Sequence, residues 1–123
     1  MSRILIVDDD KGSLNLIEIM LERGGFEVTK ADSARVALSI LSTTLPDMMI
    51  LDVMMPEMNG IELCKVIRDR KIDVPILILS ARGDAQAVMH SLEAGATDYL
   101  PKPILHHDLV AKVRQMLGQE SAD

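Results

Sequence analysis

The sequence contains few aromatic residues, one cysteine and no long apolar run. Aromatic residues make up 2% of its 123 residues, with no Trp, so the stacking platforms of single-stranded nucleic-acid binders are excluded. The single cysteine, Cys64, excludes an intrachain disulfide and a structural zinc site, and it favours a reducing cytoplasm as the compartment. No apolar stretch reaches the length of a bilayer span, so we expect no membrane insertion.

Basic residues are in deficit as well. Lys and Arg total 13 against 19 for Asp and Glu, and the resulting net charge of −6 repels phosphate backbones. We therefore expect no direct nucleic-acid partner. The length is sufficient for one domain, whose core must be built from aliphatic residues and the nine Met.

Five short aliphatic runs alternate with five longer segments that carry apolar residues at helical spacing. This alternation is typical of an α/β domain in which helices cover both faces of a parallel sheet. The predicted strands are residues 3–7, 27–31, 48–52, 75–79 and 97–100. The apolar residues that mark the last two helices are Val88, Met89 and Leu92, then Leu105, Leu109, Val113 and Leu117.

Polar residues of reactive type lie where these strands end. Residues 8–10 are all Asp and follow the first strand, Asp52 ends the third, Ser80 follows the fourth and Lys102 follows the fifth. The carboxyl ends of parallel strands share one edge of the sheet, and open α/β sheets bind their ligands at that edge. We therefore expect these side chains to converge.

The chemistry of this set is that of a phosphoryl pocket. Crowded carboxylates need a cation to stay ionised, and hard oxygen donors at this density suit Mg²⁺. The Lys102 ammonium and the Ser80 hydroxyl both suit phosphoryl oxygens. One carboxylate of the set can itself act as the nucleophile and form an aspartyl phosphate.

Several stretches, in their order and spacing, resemble the receiver domain of bacterial two-component response regulators, including the chemotaxis regulators. They are ILIVDD (4–9), DMMILD (47–52), MPEMNG (55–60), ILSA (78–81) and GATDYLPKP (95–103). The resemblance implies a doubly wound (βα)5 domain with strand order 2-1-3-4-5, a flavodoxin-like three-layer αβα architecture. It covers nearly the whole chain, so we expect residues 1–118 to form the receiver domain and residues 119–123 a polar tail or truncated linker.

The resemblance also implies roles for the acidic residues. Asp52 matches the phosphoacceptor, and Asp9 would ligate Mg²⁺, or Mn²⁺, together with Asp52 and the backbone carbonyl of Met54. Asp8 would act on the metal mostly through water. Gly60 is expected to meet a backbone requirement near the site.

Three further matches concern phosphoryl binding and its consequences. Lys102 matches the lysine that pairs with the acceptor carboxylate and then with the phosphoryl group, and the Lys102-Pro103 bond is expected to be cis. Ser80 matches the hydroxyl residue that shifts towards the phosphoryl oxygen. Tyr99 matches the aromatic switch residue that rotates inward as Ser80 moves.

The function implied is a phosphorylation-dependent switch in a two-component phosphorelay. A sensor histidine kinase, a histidine phosphotransfer protein or a small phosphodonor would supply the phosphoryl group. The output would be read on the face formed by the fourth helix, fifth strand and fifth helix, by a downstream protein or by a second copy. Such a chain catalyses only its own phosphorylation and dephosphorylation and turns over no metabolite.

Four alternative functions are compatible with parts of this sequence. An aspartyl-phosphate hydrolase of the haloacid-dehalogenase type needs a second Asp two residues after the nucleophile, where Met54 stands. A flavin-binding module is disfavoured because residues 8–10 repel a phosphate and only two aromatic residues are present. A phosphorylation-independent scaffold receiver, and the N-terminal receiver fragment of a longer DNA-binding regulator, stay open.

Two departures from the family pattern concern the lifetime of the phosphoryl group. Met54 stands two residues after Asp52, and Arg82 two residues after Ser80, at positions that tune hydrolysis in the family. Met54 has no good donor or acceptor to orient a water molecule. The sequence therefore predicts slow loss of the phosphoryl group.

Other residues have ordinary structural explanations. Asp10 is the residue best placed to cap the first helix. The methionines at 48, 49, 54, 55 and 58 are expected to pack in the core and loops, because no Cys or His lies among them to make a soft-metal site. His106 and His107 are expected on the solvated surface, and Cys64 is expected to be buried and unreactive.

Overall fold

A computed structural model describes residues 2–81 and 83–119. Strands and helices alternate strictly along the chain, as the apolar pattern predicts. The ten elements are β1 (Arg3–Val7), α1 (Lys11–Arg23), β2 (Glu27–Ala31), α2 (Ala34–Leu41), β3 (Met48–Asp52), α3 (Gly60–Asp69), β4 (Ile76–Ala81), α4 (Ala85–Glu93), β5 (Asp98–Lys102) and α5 (His106–Met116).

The five strands form one parallel sheet in the order β2-β1-β3-β4-β5. Chain order reverses direction between β1 and β3, where open α/β sheets bind ligands. The doubly wound α/β fold and its strand order are therefore confirmed.

Both faces of the sheet are buried. Neighbouring residues of the central strands point to opposite sides of the sheet, and helices cover each side. Ile4 and Ile6 of β1 pack in a core with α1 and α5, whereas Leu5 and Val7 pack in a second core with α2 and α3. The other central strands, β3 and β4, divide their residues in the same way. Helix α4 contacts β4 and α3, which places it in the second helical layer.

The last two strands differ in their bounds from the sequence prediction. Strand β4 continues through Ser80 to Ala81, and β5 continues through Pro101 to Lys102, so Ser80 and Lys102 lie inside strands and not after them. Pro101 is compatible with β5 because this strand is at the edge of the sheet and is bonded on one side only. The expected cis bond at Lys102-Pro103 is confirmed.

Helices α4 and α5 are confirmed, but the sequence misplaces part of their buried surface. Helix α4 buries Ala87 and Ser91, whereas Met89 is 61% exposed and Leu92 is 44% exposed. Leu105 is exposed and precedes α5 as its N-cap residue. Among the described residues, no helix has the length and apolar character needed to cross a membrane.

Arg68, at the end of α3, fixes the chain segments around α4. Its Nε donates to the carbonyl oxygen of Gly95 at 2.9 Å, and its Nη1 donates to those of Ile72 and Val74 at 2.7 and 2.8 Å. One half-buried guanidinium thereby ties α3 to the segment that follows α4. Nothing in the sequence distinguishes this arginine from a solvated one.

Candidate functional site

The end of β1 supplies the first part of the site. Asp8 is buried, and its backbone N–H donates to the carbonyl oxygen of Ala31 in β2 at 3.1 Å. Asp9 is exposed. Asp10 caps α1 by accepting from the Gly12 N–H at 3.3 Å and the Ser13 hydroxyl at 2.8 Å, as expected. These two donors lower the pKa of Asp10, with the Ser13 hydroxyl the larger cause.

Asp52 and Lys102 form the centre of the site. The Asp52 side chain is buried at the end of β3, and the Lys102 Nζ lies 2.8 Å from its Oδ1. Lys102 comes from β5, two strands away in the sheet, so only the tertiary structure creates this ion pair. Buried charges need a partner of this kind, because an isolated carboxylate is costly to remove from water.

The three carboxylates predicted to bind a metal converge. One oxygen each from Asp8, Asp9 and Asp52 can be chosen so that all three lie within 4.8 Å of one another. Asp8 Oδ2 is buried without a hydrogen-bond partner among the residues that the structure describes. An all-oxygen donor set with an unsatisfied buried oxygen fits a hard divalent cation, and the exposed Asp9 leaves a route from solvent.

Burial has a measurable electrostatic consequence at Asp8. Loss of water around this carboxylate is the main reason that its pKa rises from 3.8 to about 6, and the charges of Asp52 and Asp9 raise it further. The Asp10 N–H, which donates to Asp8 Oδ1 at 3.0 Å, and the Lys102 ammonium oppose the rise. The pocket is thus short of positive charge when no cation is bound.

Ser80 and Tyr99 lie on the other side of the site. The Ser80 hydroxyl is buried and, within residues 2–81 and 83–119, has no hydrogen-bond partner. A cavity of about 360 Å³ lies beside it, lined by Ser80, Tyr99, Val88 and residues at the start of α4. Tyr99 is 38% exposed and borders this cavity.

The β3–α3 loop contains Met54 and ends at Gly60. The Met54 side chain is 75% exposed, so it packs in neither core. The Asn59 side chain accepts from the Glu62 N–H at 2.8 Å, and the Glu62 side chain accepts from the Asn59 N–H at 3.0 Å. This capping box fixes the start of α3 directly after the loop.

The structure brings together four of the predicted site residues, Asp8, Asp9, Asp52 and Lys102. Ser80 lies at the same edge, but its hydroxyl makes no bond to this cluster. Arg82 lies outside the described residues, as do residues 120–123 of the expected tail. His106 and His107 are exposed and Cys64 is buried, as expected, and burial raises the pKa of the Cys64 thiol.

A family model for the response regulator receiver domain matches residues 4–114. The chain belongs to this family. Response regulator MprA of Mycolicibacterium vanbaalenii is 40% identical over 121 residues, which cover 98% of this chain and 52% of that protein. MprA of Mycobacterium leprae is 39% identical over the same share of this chain. The receiver domain thus spans about half the length of the curated relatives it matches.

Solved receiver structures share the fold over almost the whole chain. A Chloroflexus aurantiacus protein assigned as a response regulator superposes with a TM-score of 0.91 at 40% identity, covering 95% of this chain and 98% of that one. The Vibrio cholerae chemotaxis protein CheY4 superposes with a TM-score of 0.89 at 30% identity, covering 94% and 98%. The resemblance read from the sequence motifs is therefore confirmed at the level of family and fold.

Proposed function

We propose that this receiver domain is a phosphorylation switch in which Asp52 accepts the phosphoryl group. The observation that carries the proposal is the buried Asp52 carboxylate, held 2.8 Å from the Lys102 ammonium within one cluster of acidic oxygens. Asp52 is the carboxylate of this cluster that ends a central strand and has a cationic partner. It is therefore the nucleophile best positioned by the rigid part of the fold.

The transfer forms one bond and breaks another. An Asp52 carboxylate oxygen attacks the phosphorus of a phosphohistidine, and the phosphorus–nitrogen bond breaks with its electron pair returning to the imidazole. The product is an acyl phosphate on Asp52. Lys102 lies against the carboxylate before transfer and offsets the negative charge that gathers on the phosphoryl oxygens.

The residues that would hold a divalent cation are Asp9, Asp52 and the backbone carbonyl of Met54, with Asp8 acting through water. Bound Mg²⁺, or Mn²⁺, would neutralise the carboxylates and the incoming phosphoryl oxygens. The unsatisfied Asp8 Oδ2 and the raised pKa of Asp8 support this assignment, because both indicate a pocket lacking a cation.

The signal would leave the site through Ser80 and Tyr99. The Ser80 hydroxyl has no partner among the described residues, so a phosphoryl oxygen gives it its first strong hydrogen bond. Movement of Ser80 opens space beside the 360 Å³ cavity that Tyr99 also borders. Inward rotation of Tyr99 would then change the surface formed by α4, β5 and α5, and a bias of a few kcal/mol is enough for such a switch.

The partners that fit this function are a sensor histidine kinase or a histidine phosphotransfer protein as donor. A downstream protein, or a second copy of this chain, would read the surface formed by α4, β5 and α5. We place the switch in the cytoplasm, where the free thiol of Cys64 and a kinase donor are compatible. The chain would catalyse only its own modification.

Mass spectrometry after treatment with acetyl phosphate tests the proposal. The wild-type chain should gain one phosphoryl group in Mg²⁺ and none in EDTA, and Asp52→Asn should gain none. Asp73→Asn is the matched control and should label normally. It removes an exposed carboxylate just before the amino end of β4, at the end of the strands opposite the site. Labelling of Asp52→Asn would overturn the assignment of Asp52 as the acceptor, and no labelling of the wild type by any donor would favour a phosphorylation-independent scaffold.

A second form of this function is that of the N-terminal part of a DNA-binding response regulator. The match to response regulator MprA, of which this chain covers 52%, favours a longer protein that contains this receiver domain, and DNA binding by its remaining part is our proposal. In that case the surface formed by α4, β5 and α5 would act on a domain or copy linked to this one. The net charge of −6 still argues against DNA contacts made by the receiver domain itself.

We also propose that the phosphoryl group is lost slowly. Met54 is 75% exposed, and its thioether is a poor partner for a water molecule attacking the acyl phosphate. Decay of the phosphorylated chain should take minutes or longer, and Met54→Asn should shorten it. Wild-type decay within seconds would contradict this part of the proposal.

A further inference from the structure

Gly60 is the first residue of α3, and its α-carbon packs directly against the backbone of Asp52. A Cβ placed on Gly60 would overlap the carbonyl oxygen of Asp52, and it would lie 2.9 Å from the Asp52 carbonyl carbon and 3.2 Å from the Val53 Cα. All three neighbours are backbone atoms. They cannot turn aside as the end of a flexible side chain can, so any other residue must displace the peptide of Asp52.

The contact is held in place from both sides. The Gly60 N–H donates to the carbonyl oxygen of Val53 at 3.1 Å, and the Val53 N–H donates to that of Leu79 in β4 at 3.2 Å. On the helical side, the capping box of Asn59 and Glu62 fixes the start of α3. Neither α3 nor the end of β3 is therefore free to withdraw and make room for a side chain.

We infer that Gly60 is a positioning residue whose missing side chain lets α3 press against the Asp52 peptide and so sets where the Asp52 carboxylate stands relative to Lys102 and Asp9. The inference rests on the proposed function of Asp52 and deepens it. The seven-residue loop between β3 and α3 carries the Met54 carbonyl and ends at this contact. The contact therefore also fixes the distance from the loop to the acidic cluster. The φ angle of Gly60 is not in the left-handed region, so the requirement is one of space.

The other glycine at the start of a helix beside the site provides a matched control. Gly12 lies in the first turn of α1, and a Cβ there would meet only the Asp10 side chain, at 3.6 Å, which is an ordinary contact. Gly12→Ala therefore adds the same methyl group near the same pocket without touching the backbone of a site residue. Leu63→Ala is the second control, because it weakens the packing of α3 and leaves the Asp52 contact unchanged.

The test measures Mg²⁺ affinity by NMR titration of the site amides, and the labelling rate by acetyl phosphate at saturating Mg²⁺. Gly60→Ala should weaken Mg²⁺ binding and slow labelling by about tenfold or more each, because a displaced carboxylate misplaces both ligand and nucleophile. Gly12→Ala should match the wild type within about twofold in both. Leu63→Ala should lose stability in urea but keep the Mg²⁺ affinity of its folded fraction.

The Mg²⁺ affinity and the labelling rate together decide whether Gly60 positions Asp52. If Gly60→Ala binds Mg²⁺ and labels like Leu63→Ala, then Gly60 acts only on stability and the inference is wrong. Should Gly60→Ala unfold in buffer, the same measurements in trimethylamine N-oxide, which favours the folded chain, restore the comparison. A wild type that neither binds Mg²⁺ nor labels would overturn the proposed function, and the inference with it. If the wild type labels and Gly60→Ala binds Mg²⁺ and labels equally well, the inference about Gly60 is wrong but the proposed function stands.

Discussion

Helices α3 and α4 are neighbours in the same layer, yet they are attached to the sheet in different ways. Helix α3 buries Leu63, Cys64 and Ile67 in the core and begins with a capping box. Helix α4 buries only Ala87 and Ser91, and its apolar Met89 and Leu92 face solvent. Helix α3 is fixed by apolar packing, which is the strongest force available to a domain of this size.

The attachment of α4 is also uneven along its length. Its C-terminal end is held by Arg68 through Gly95, and its N-terminal end lies beside the cavity that Ser80 and Tyr99 border. The acidic cluster therefore lies in the half of the domain with β1, β3 and α3, where α3 packs on buried apolar side chains, whereas the half with α4 and β5 borders the cavity. In the proposed switch, α4 is the element that we expect to move, because regions with few buried apolar contacts open most easily.

The largest expected effect is a difference in stability between substitutions in α3 and in α4. Leu63→Ala in α3 should lower the free energy of unfolding by about 2–5 kcal/mol, because it leaves a cavity in a fully buried position. Met89→Ala in α4 should change it by less than about 0.5 kcal/mol, since the side chain is mostly exposed. Urea unfolding measures both values. Equal losses would show that the contrast between the helices is not one of packing.

A second prediction concerns the anchor at the end of α4. Arg68→Met keeps the length of the side chain but leaves three carbonyl oxygens without their donor, at a cost of about 1–3 kcal/mol. Hydrogen exchange should accelerate at the amides of residues 94–96 more than in α1. If exchange accelerates equally in all helices, Arg68 contributes only to global stability and α4 is not anchored at one end.

A third prediction concerns the electrostatic cost of burying the Asp8 carboxylate. The pKa of Asp8 is raised from 3.8 to about 6, so the stability this group contributes is complete below pH 3.8 and is lost as pH rises through 6. Asp8→Asn should therefore raise the free energy of unfolding by about 1–2 kcal/mol at pH 8 without metal, after allowance for solvent screening. At pH 4 the variant should match the wild type. A gain of the same size at both values would point to packing as its cause.

The smallest expected effect lies at the boundary between the two halves. Ser80→Ala removes a buried hydroxyl that has no hydrogen-bond partner among the described residues, so it should raise the free energy of unfolding by about 0.5–1 kcal/mol. Thermal melting of the metal-free chain measures this gain. Cys64→Ala, a small change in the core beneath α3, is a control that should lower stability. A loss in Ser80→Ala would mean that the hydroxyl already has a partner.

The sequence predicts most of the fold because its signals are local and repeated. The alternation of aliphatic runs with helical spacing is enough to give five strands and five helices, and Asp10 is recognisable as a cap from its place before α1. The apolar pattern misplaces the ends of β4 and β5 because hydrogen bonds to a neighbouring strand extend a strand beyond its apolar residues. The apolar pattern also misplaces the buried face of α4, because apolar residues on a surface helix need not face the core.

Residue type and position along the chain were enough to single out Asp8, Asp9, Asp52, Ser80 and Lys102, since parallel strands deliver their ends to one edge. Family membership followed from the order and spacing of the motifs. The tertiary structure alone decided three things: the 2.8 Å distance of the expected Asp52–Lys102 pair, the lack of space for a side chain at Gly60, and the anchoring role of Arg68. Each depends on distances between atoms that only the packed fold sets, whether the residues are four or fifty positions apart in the chain.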